Sequence, residues 1–138
     1  MSKVAIVFWS ATGNTETMAN CIAEGAGAAA TIVPCGEMNA AKLGEYDVVA
    51  FGCPAMGAEQ LEESEFEPMF ASLEGSLNGK KVALFGSYGW GDGEWMRSWE
   101  KDCDDSGIRL VCESVTCCEA PDDAALDACR ALGKELAK

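Results

Sequence analysis

Apolar runs and amphipathic stripes alternate along this chain. Residues 3–9 (KVAIVFW) form a continuous β-branched and aromatic run, the pattern of a strand buried on both faces. Residues 14–25 follow with Met18, Cys21 and Ile22 on one helical face. A shorter strand is predicted over 30–35, a weak helical stretch over 38–43 and a third strand over 47–53 (DVVAFGC). Phe66, Met69, Phe70, Leu73 and Leu77, three and four residues apart, then mark the clearest amphipathic helix. A fourth strand is predicted over 81–87 (KVALFGS) and a helix over 94–106, with Trp95, Met96, Trp99 and Cys103 on one face. A single fifth strand is predicted over 108–116. A last helix opens at Pro121-Asp122-Asp123 and turns Leu126, Cys129, Leu132 and Leu136 inward.

Five strands alternating with helices predict an α/β domain whose parallel sheet is covered on both faces. The 138 residues suit one domain, and no linker or repeat divides 1–138. In such sheets ligands sit outside the carboxyl ends of the strands. The segments to inspect therefore follow strands one, three and four.

Composition narrows the partners. Twenty-three acidic residues against 10 basic ones give a net charge of −13, which disfavours nucleic acid and anionic membranes. No apolar run approaches the ~20 residues of a membrane span, and the first residues lack a signal-peptide pattern. A cytoplasmic location is the expectation. Eight cysteines include no CxxC pair, and there is no histidine, so common zinc and thioredoxin-like signatures are missing. The cysteines are expected to be small buried hydrophobes. Cys103 and Arg109 do satisfy C-x5-R, but the segment runs from helix to strand, whereas a phosphate cradle runs from strand to helix.

The three loops carry more chemistry. Ser10-Ala11-Thr12-Gly13-Asn14-Thr15 joins a strand to a helix start and offers hydroxyls and backbone amides to an anion. It has no lysine and no GxGxxG spacing, which favours a terminal monophosphate over triphosphates and dinucleotides; an ordinary helix cap would use the same residues. The second loop holds Ala55, Met56, Gly57 and Glu59. Its methionine can lie against a ring or fill a core gap, and its glycine permits two peptide orientations. In the third, Ser87-Tyr88-Gly89-Trp90-Gly91, an indole between glycines can stack on a planar ligand. Together they call for a flat ring with a monophosphate tail.

SATGNTE (10–16), PAMG (54–57) and FGSYGWGDGEWM (85–96) resemble the short-chain flavodoxins of anaerobic bacteria, over essentially the whole chain. The resemblance implies a three-layer α/β/α sandwich with five parallel strands in the order 2-1-3-4-5. It also implies FMN as cofactor and a low-potential one-electron carrier with a ferredoxin-like role, cycling mainly between semiquinone and hydroquinone. By the same resemblance Ser10, Thr12, Asn14 and Thr15, with nearby amides of Ala11 and Gly13, bind the FMN phosphate. Trp90 stacks on the outer ring face and Met56 covers the inner one. Glu59 accepts from ring N3–H, the amides of Gly89 and Gly91 meet O2, and Ser87, Tyr88 and Ala55 line the same loops. The Gly57 carbonyl accepts the proton on N5. Ala58 and Pro54 stand where some relatives carry Asp and Ser, which removes one polar group and one phosphate donor.

Acidic residues 45–74 and 92–105 are expected to form a rim around the ring edge, including Glu62, Glu63, Glu65 and Glu67. That rim favours a monomer docking to redox proteins through their basic surfaces. The alternative is an FMN-dependent reductase acting on a small substrate, although Trp90 leaves little room for one. A receiver domain is disfavoured, because it needs clustered aspartates at the strand ends and the ends here, Ser10, Cys53 and Ser87, lack them.

Overall fold

The computed structural model describes residues 3–10, 13–55, 61–89 and 93–138. Strands β1 (Val4–Phe8), β2 (Ala30–Pro34), β3 (Val48–Gly52) and β4 (Lys81–Tyr88) lie where the apolar runs predict. All are parallel, in the order β2-β1-β3-β4-β5, with β5 covering Arg109–Leu110. Helices α1 (Asn14–Ala26), α3 (Phe66–Leu73), α4 (Glu94–Asp105) and α5 (Asp123–Leu136) cover the two faces, and a single turn, α2 (Ala40–Leu43), precedes β3. Pro34, which donates no ladder hydrogen bond, is tolerated because β2 is an edge strand.

The alternation along each strand sorts the core into two. Val4 and Ile6 of β1, Val48 and Ala50 of β3, and Ala83 and Phe85 of β4 face Met18 and Ile22 of α1 and Cys129, Leu132 and Leu136 of α5. Ala5, Val7, Val49, Phe51, Val82 and Leu84 face α3 and α4. There Trp99 meets Phe66 and Phe70 edge to face, at 5.5 Å and 5.6 Å. The α3 helix stops at Leu73, and a 3₁₀ turn (Glu74–Ser76) carries Leu77 into the same core.

One expected element is corrected. The fifth strand is not continuous over 108–116 but splits into β5 and β6 (Val115–Cys118), both paired with β4. From Lys81 to Phe85 on β4, the partner runs from Arg109 to Val115, two residues more. The excess leaves the ladder after the Val111 amide bonds the Val82 carbonyl (3.0 Å). Ser114 Oγ then donates to Glu100 Oε2 of α4 (2.6 Å), a polar anchor that outcompetes the ladder there.

The α1 and α5 helices approach at backbone distance. A Cβ on Gly133 would stand 2.0 Å from the Ile22 carbonyl oxygen, and one on Gly25 would stand 2.0 Å from that of Arg130. Arg130 Nε closes the same contact on Glu24 Oε1 at 3.3 Å. This packing fixes how α1 meets the sheet, and hence where its N-terminus points. No helix among the described residues is long and apolar enough to cross a membrane.

Candidate functional site

Parallel strands bring the carboxyl ends of β1, β3 and β4 to one edge. The Trp9 amide donates to the Gly52 carbonyl (3.0 Å), the Cys53 amide to Phe85 (3.2 Å) and the Ala55 amide to Ser87 (2.9 Å), so the three loops leave the sheet side by side. Ser10, Gly13, Asn14, Thr15, Ala55, Ser87, Tyr88 and Gly89 are thus brought together. Ala11, Thr12, Met56, Gly57, Glu59, Trp90 and Gly91 lie outside the described residues, as does Ala58.

At the first loop, Gly13 caps α1 with a left-handed backbone (φ 95°) and no side-chain cap. A residue with a Cβ is strained there, so glycine suits the position. Ser10 Oγ accepts from the Gly13 amide (3.0 Å) and the Glu16 amide (3.4 Å), which ties Ser10 to the helix start. Thr15, 1% exposed, places its hydroxyl 3.5 Å from that of Ser87, 4% exposed. Two buried hydroxyls therefore join the first loop to the end of β4 beside a helix N-terminus. At the third loop Gly93 repeats the device, capping α4 in the left-handed region (φ 87°) without a side-chain cap. The donor set is neutral: hydroxyls and amides, with the partial positive charge of α1 behind them.

Residues outside the sequence candidates complete the frame. Glu119 holds a left-handed conformation (φ 59°), and its amide donates to the Tyr88 carbonyl (2.6 Å), fixing the end of β4 to β6. Nothing about a glutamate signals that backbone. The Trp95 indole donates to the Cys53 carbonyl (3.1 Å) and its ring lies 5.5 Å from Tyr88. Trp95 was readable only as core.

Glu62 corrects the acidic rim. It is 7% exposed and turned inward, accepting from the amides of Ser64 (2.9 Å), Glu65 (2.7 Å) and Phe66 (2.9 Å) and from the Ser64 hydroxyl. It caps α3, a job for which Ser, Thr, Asp or Asn is the usual sign. Burial raises its pKa, but these hydrogen bonds outweigh burial and hold it at about 2, against an ordinary 4.5. Stability from this carboxylate is therefore fully present above its ordinary value and is lost as pH falls from about 4.5 towards about 2. Glu62→Gln is expected to cost about 1.5–3 kcal/mol at neutral pH. Urea unfolding checks it, and the gap to the wild type should close as pH approaches 2.

Cys21, Cys35, Cys53, Cys103 and Cys129 are buried and all eight thiols are free, but Cys118 is exposed and Cys112 and Cys117 are only half-buried, against the expectation of burial. Cys103 and Arg109 do not form an anion cradle. The thiol is fully buried and burial, with Asp102 nearby, pushes it up to about 12. Arg109 starts β5 beyond a helix C-terminus. Among the described residues no group of three or more Cys, Asp or Glu is arranged to hold a metal.

Similarity to known proteins agrees with this fold. The family model described as Flavodoxin matches residues 6–133. Flavodoxin of Megasphaera elsdenii is 46% identical, covering 98% of each chain, and that of Clostridium beijerinckii is 45% identical, covering 96% of this chain and 97% of the relative. The solved structure of two-electron reduced Megasphaera elsdenii flavodoxin superposes with a TM-score of 0.88, covering 97% of this chain and 98% of that one.

Proposed function

The chain belongs to the flavodoxin family, FMN-binding electron-transfer proteins rather than enzymes, and from that membership we propose how its three loops hold and use the cofactor. FMN supplies the redox chemistry, taking up and releasing electrons. The residues present fit it. A phosphate dianion suits neutral donors at the start of a 13-residue helix, where no lysine side chain is needed to neutralise it. The observation that carries the reading is the buried Thr15–Ser87 hydroxyl pair beside Gly13, which aims two loops at one point.

Ser10, Thr12, Asn14 and Thr15, with the amides of Ala11 and Gly13, bind the phosphate. Trp90 and Met56 cover the ring faces and exclude water from them. Glu59 accepts from N3–H, and the amides of Gly89 and Gly91 donate to O2, with Ala55, Ser87 and Tyr88 lining the site. The Gly57 carbonyl holds the proton at N5. Each charge-assisted bond to the phosphate contributes about 1.5–3 kcal/mol. FMN is therefore expected to bind the apoprotein at least ~100-fold more tightly than riboflavin, since two such bonds reach that ratio. Titration by flavin fluorescence quenching tests this, and equal affinities would remove the phosphate seat.

Partner choice follows from charge. Glu63, Glu65 and Glu67 are exposed beside the second loop, and Glu94 follows the third. They favour redox proteins with basic docking surfaces, met by a monomer. Electron transfer to such a partner is expected to slow steeply as ionic strength rises, because exposed charges beyond ~8 Å are screened at physiological salt. Stopped-flow rates against salt concentration check it; a rate independent of salt would contradict it.

A further inference from the structure

We propose that Cys53 and Glu62 are positioning residues for the flavin site, forming a buried clasp that ties both ends of the second loop together and to the third. The proposal rests on the reading of Gly57 above and deepens it.

Cys53 directly follows β3 and is fully buried. Its thiol works in both directions: it donates to the Pro54 carbonyl (3.5 Å) and accepts from the Glu62 amide (3.4 Å). One sulfur therefore bridges positions 54 and 62, between which Met56, Gly57 and Glu59 lie. The Glu62 side of the bridge does not yield easily, because its carboxylate is bound by three amides at the start of α3. The backbone of Cys53 is equally committed, its amide to Phe85 (3.2 Å) and its carbonyl to the Trp95 indole (3.1 Å). Trp95 lies in the first turn of α4, which follows the third loop. Gly86 keeps this junction tight, since a Cβ there would stand 2.3 Å from the Cys53 carbonyl oxygen and 3.1 Å from the Trp95 ring.

A cysteine serving only as a small hydrophobe needs neither polar partner. Burial, with the nearby Glu62 charge, pushes the thiol up to about 12, so it stays protonated and keeps its donor at working pH. Thiol hydrogen bonds are weak donors and acceptors. Their effect is therefore expected on the orientations open to the segment rather than on folding. Fixing both ends in advance lowers the entropy lost when the Gly57 carbonyl is presented to N5.

The test is potentiometric titration of FMN-loaded wild type, Cys53→Ala, Cys53→Ser and Glu62→Gln, reading the equilibrium constant for forming the one-electron-reduced state from the other two. Amide hydrogen exchange at residue 62 in each apoprotein is read in parallel. Cys53→Ala is expected to lower the constant about tenfold, a narrowing of about 59 mV between the two couples. Cys53→Ser, which keeps a donor and an acceptor, restores it, and Glu62→Gln gives an intermediate fall. Exchange at residue 62 accelerates in Cys53→Ala and not in Cys53→Ser. An unchanged constant in Cys53→Ala, or an equal fall in Cys53→Ser, would overturn the clasp. If the wild type accumulates no one-electron-reduced state, the reading of Gly57 fails instead, and the exchange data still decide whether the thiol holds residue 62.

Discussion

Thr15→Val is expected to weaken FMN binding by about ten- to hundredfold while the protein stays folded. The side chain keeps its volume in a position 1% exposed and loses only the hydroxyl. That hydroxyl lies 3.5 Å from Ser87 Oγ, a point where the first loop and the end of β4 touch through buried polar groups. Its loss removes a donor proposed for the phosphate and leaves the Ser87 hydroxyl without this partner. A hydrogen bond to a charged group contributes about 1.5–3 kcal/mol, and each 1.4 kcal/mol is tenfold in affinity. Flavin fluorescence quenching measures the change and far-UV circular dichroism checks the fold. Thr15→Ser should recover most of the affinity. Wild-type affinity in the valine variant would place the phosphate elsewhere.

Gly133→Ala is expected to lower stability by about 3 kcal/mol, at the upper end for an overpacked core. The added carbon would stand 2.0 Å from the Ile22 carbonyl oxygen and 2.8 Å from the Ala26 amide nitrogen, both backbone atoms that no rotamer change can move aside. The two helices must separate, which breaks the reciprocal approach of Gly25 to Arg130. Because α1 also carries Gly13 at its start, the displacement should weaken FMN binding as well. Urea unfolding measures the first effect. A loss under about 1 kcal/mol would mean the helices have slack, since overpacking a tight site costs at least that.

The fold was legible because the pattern was locally consistent. Runs such as VAIVF in β1 and VVAFG in β3 are apolar on both faces and cannot be half-exposed strands, while the stripes in α3 and α4 have one apolar side. The split between β5 and β6 was not legible, because it depends on Ser114 meeting Glu100 across the chain rather than on any local turn signal. The described part of the candidate site was legible as a place to look for a different reason. Gly13 and the hydroxyls of Ser10 and Thr15 are residue types that seldom gather at a strand end without an anion to bind or a helix to cap. Glu62 was misread because a run of glutamates looks uniformly solvated in sequence, and only tertiary structure turns one of them inward. Cys53 passed as core because its two polar contacts are made by a side chain that normally makes none.

The most direct test of the three-loop site is amide chemical-shift mapping of the ¹⁵N-labelled apoprotein as FMN is added. Large shifts are expected at residues 10–16, 54–62 and 87–93, and none at Lys3, Lys80 or Arg109 on the opposite edge of the sheet. Shifts concentrated at that opposite edge, or spread with no focus on the ends of β1, β3 and β4, would contradict it.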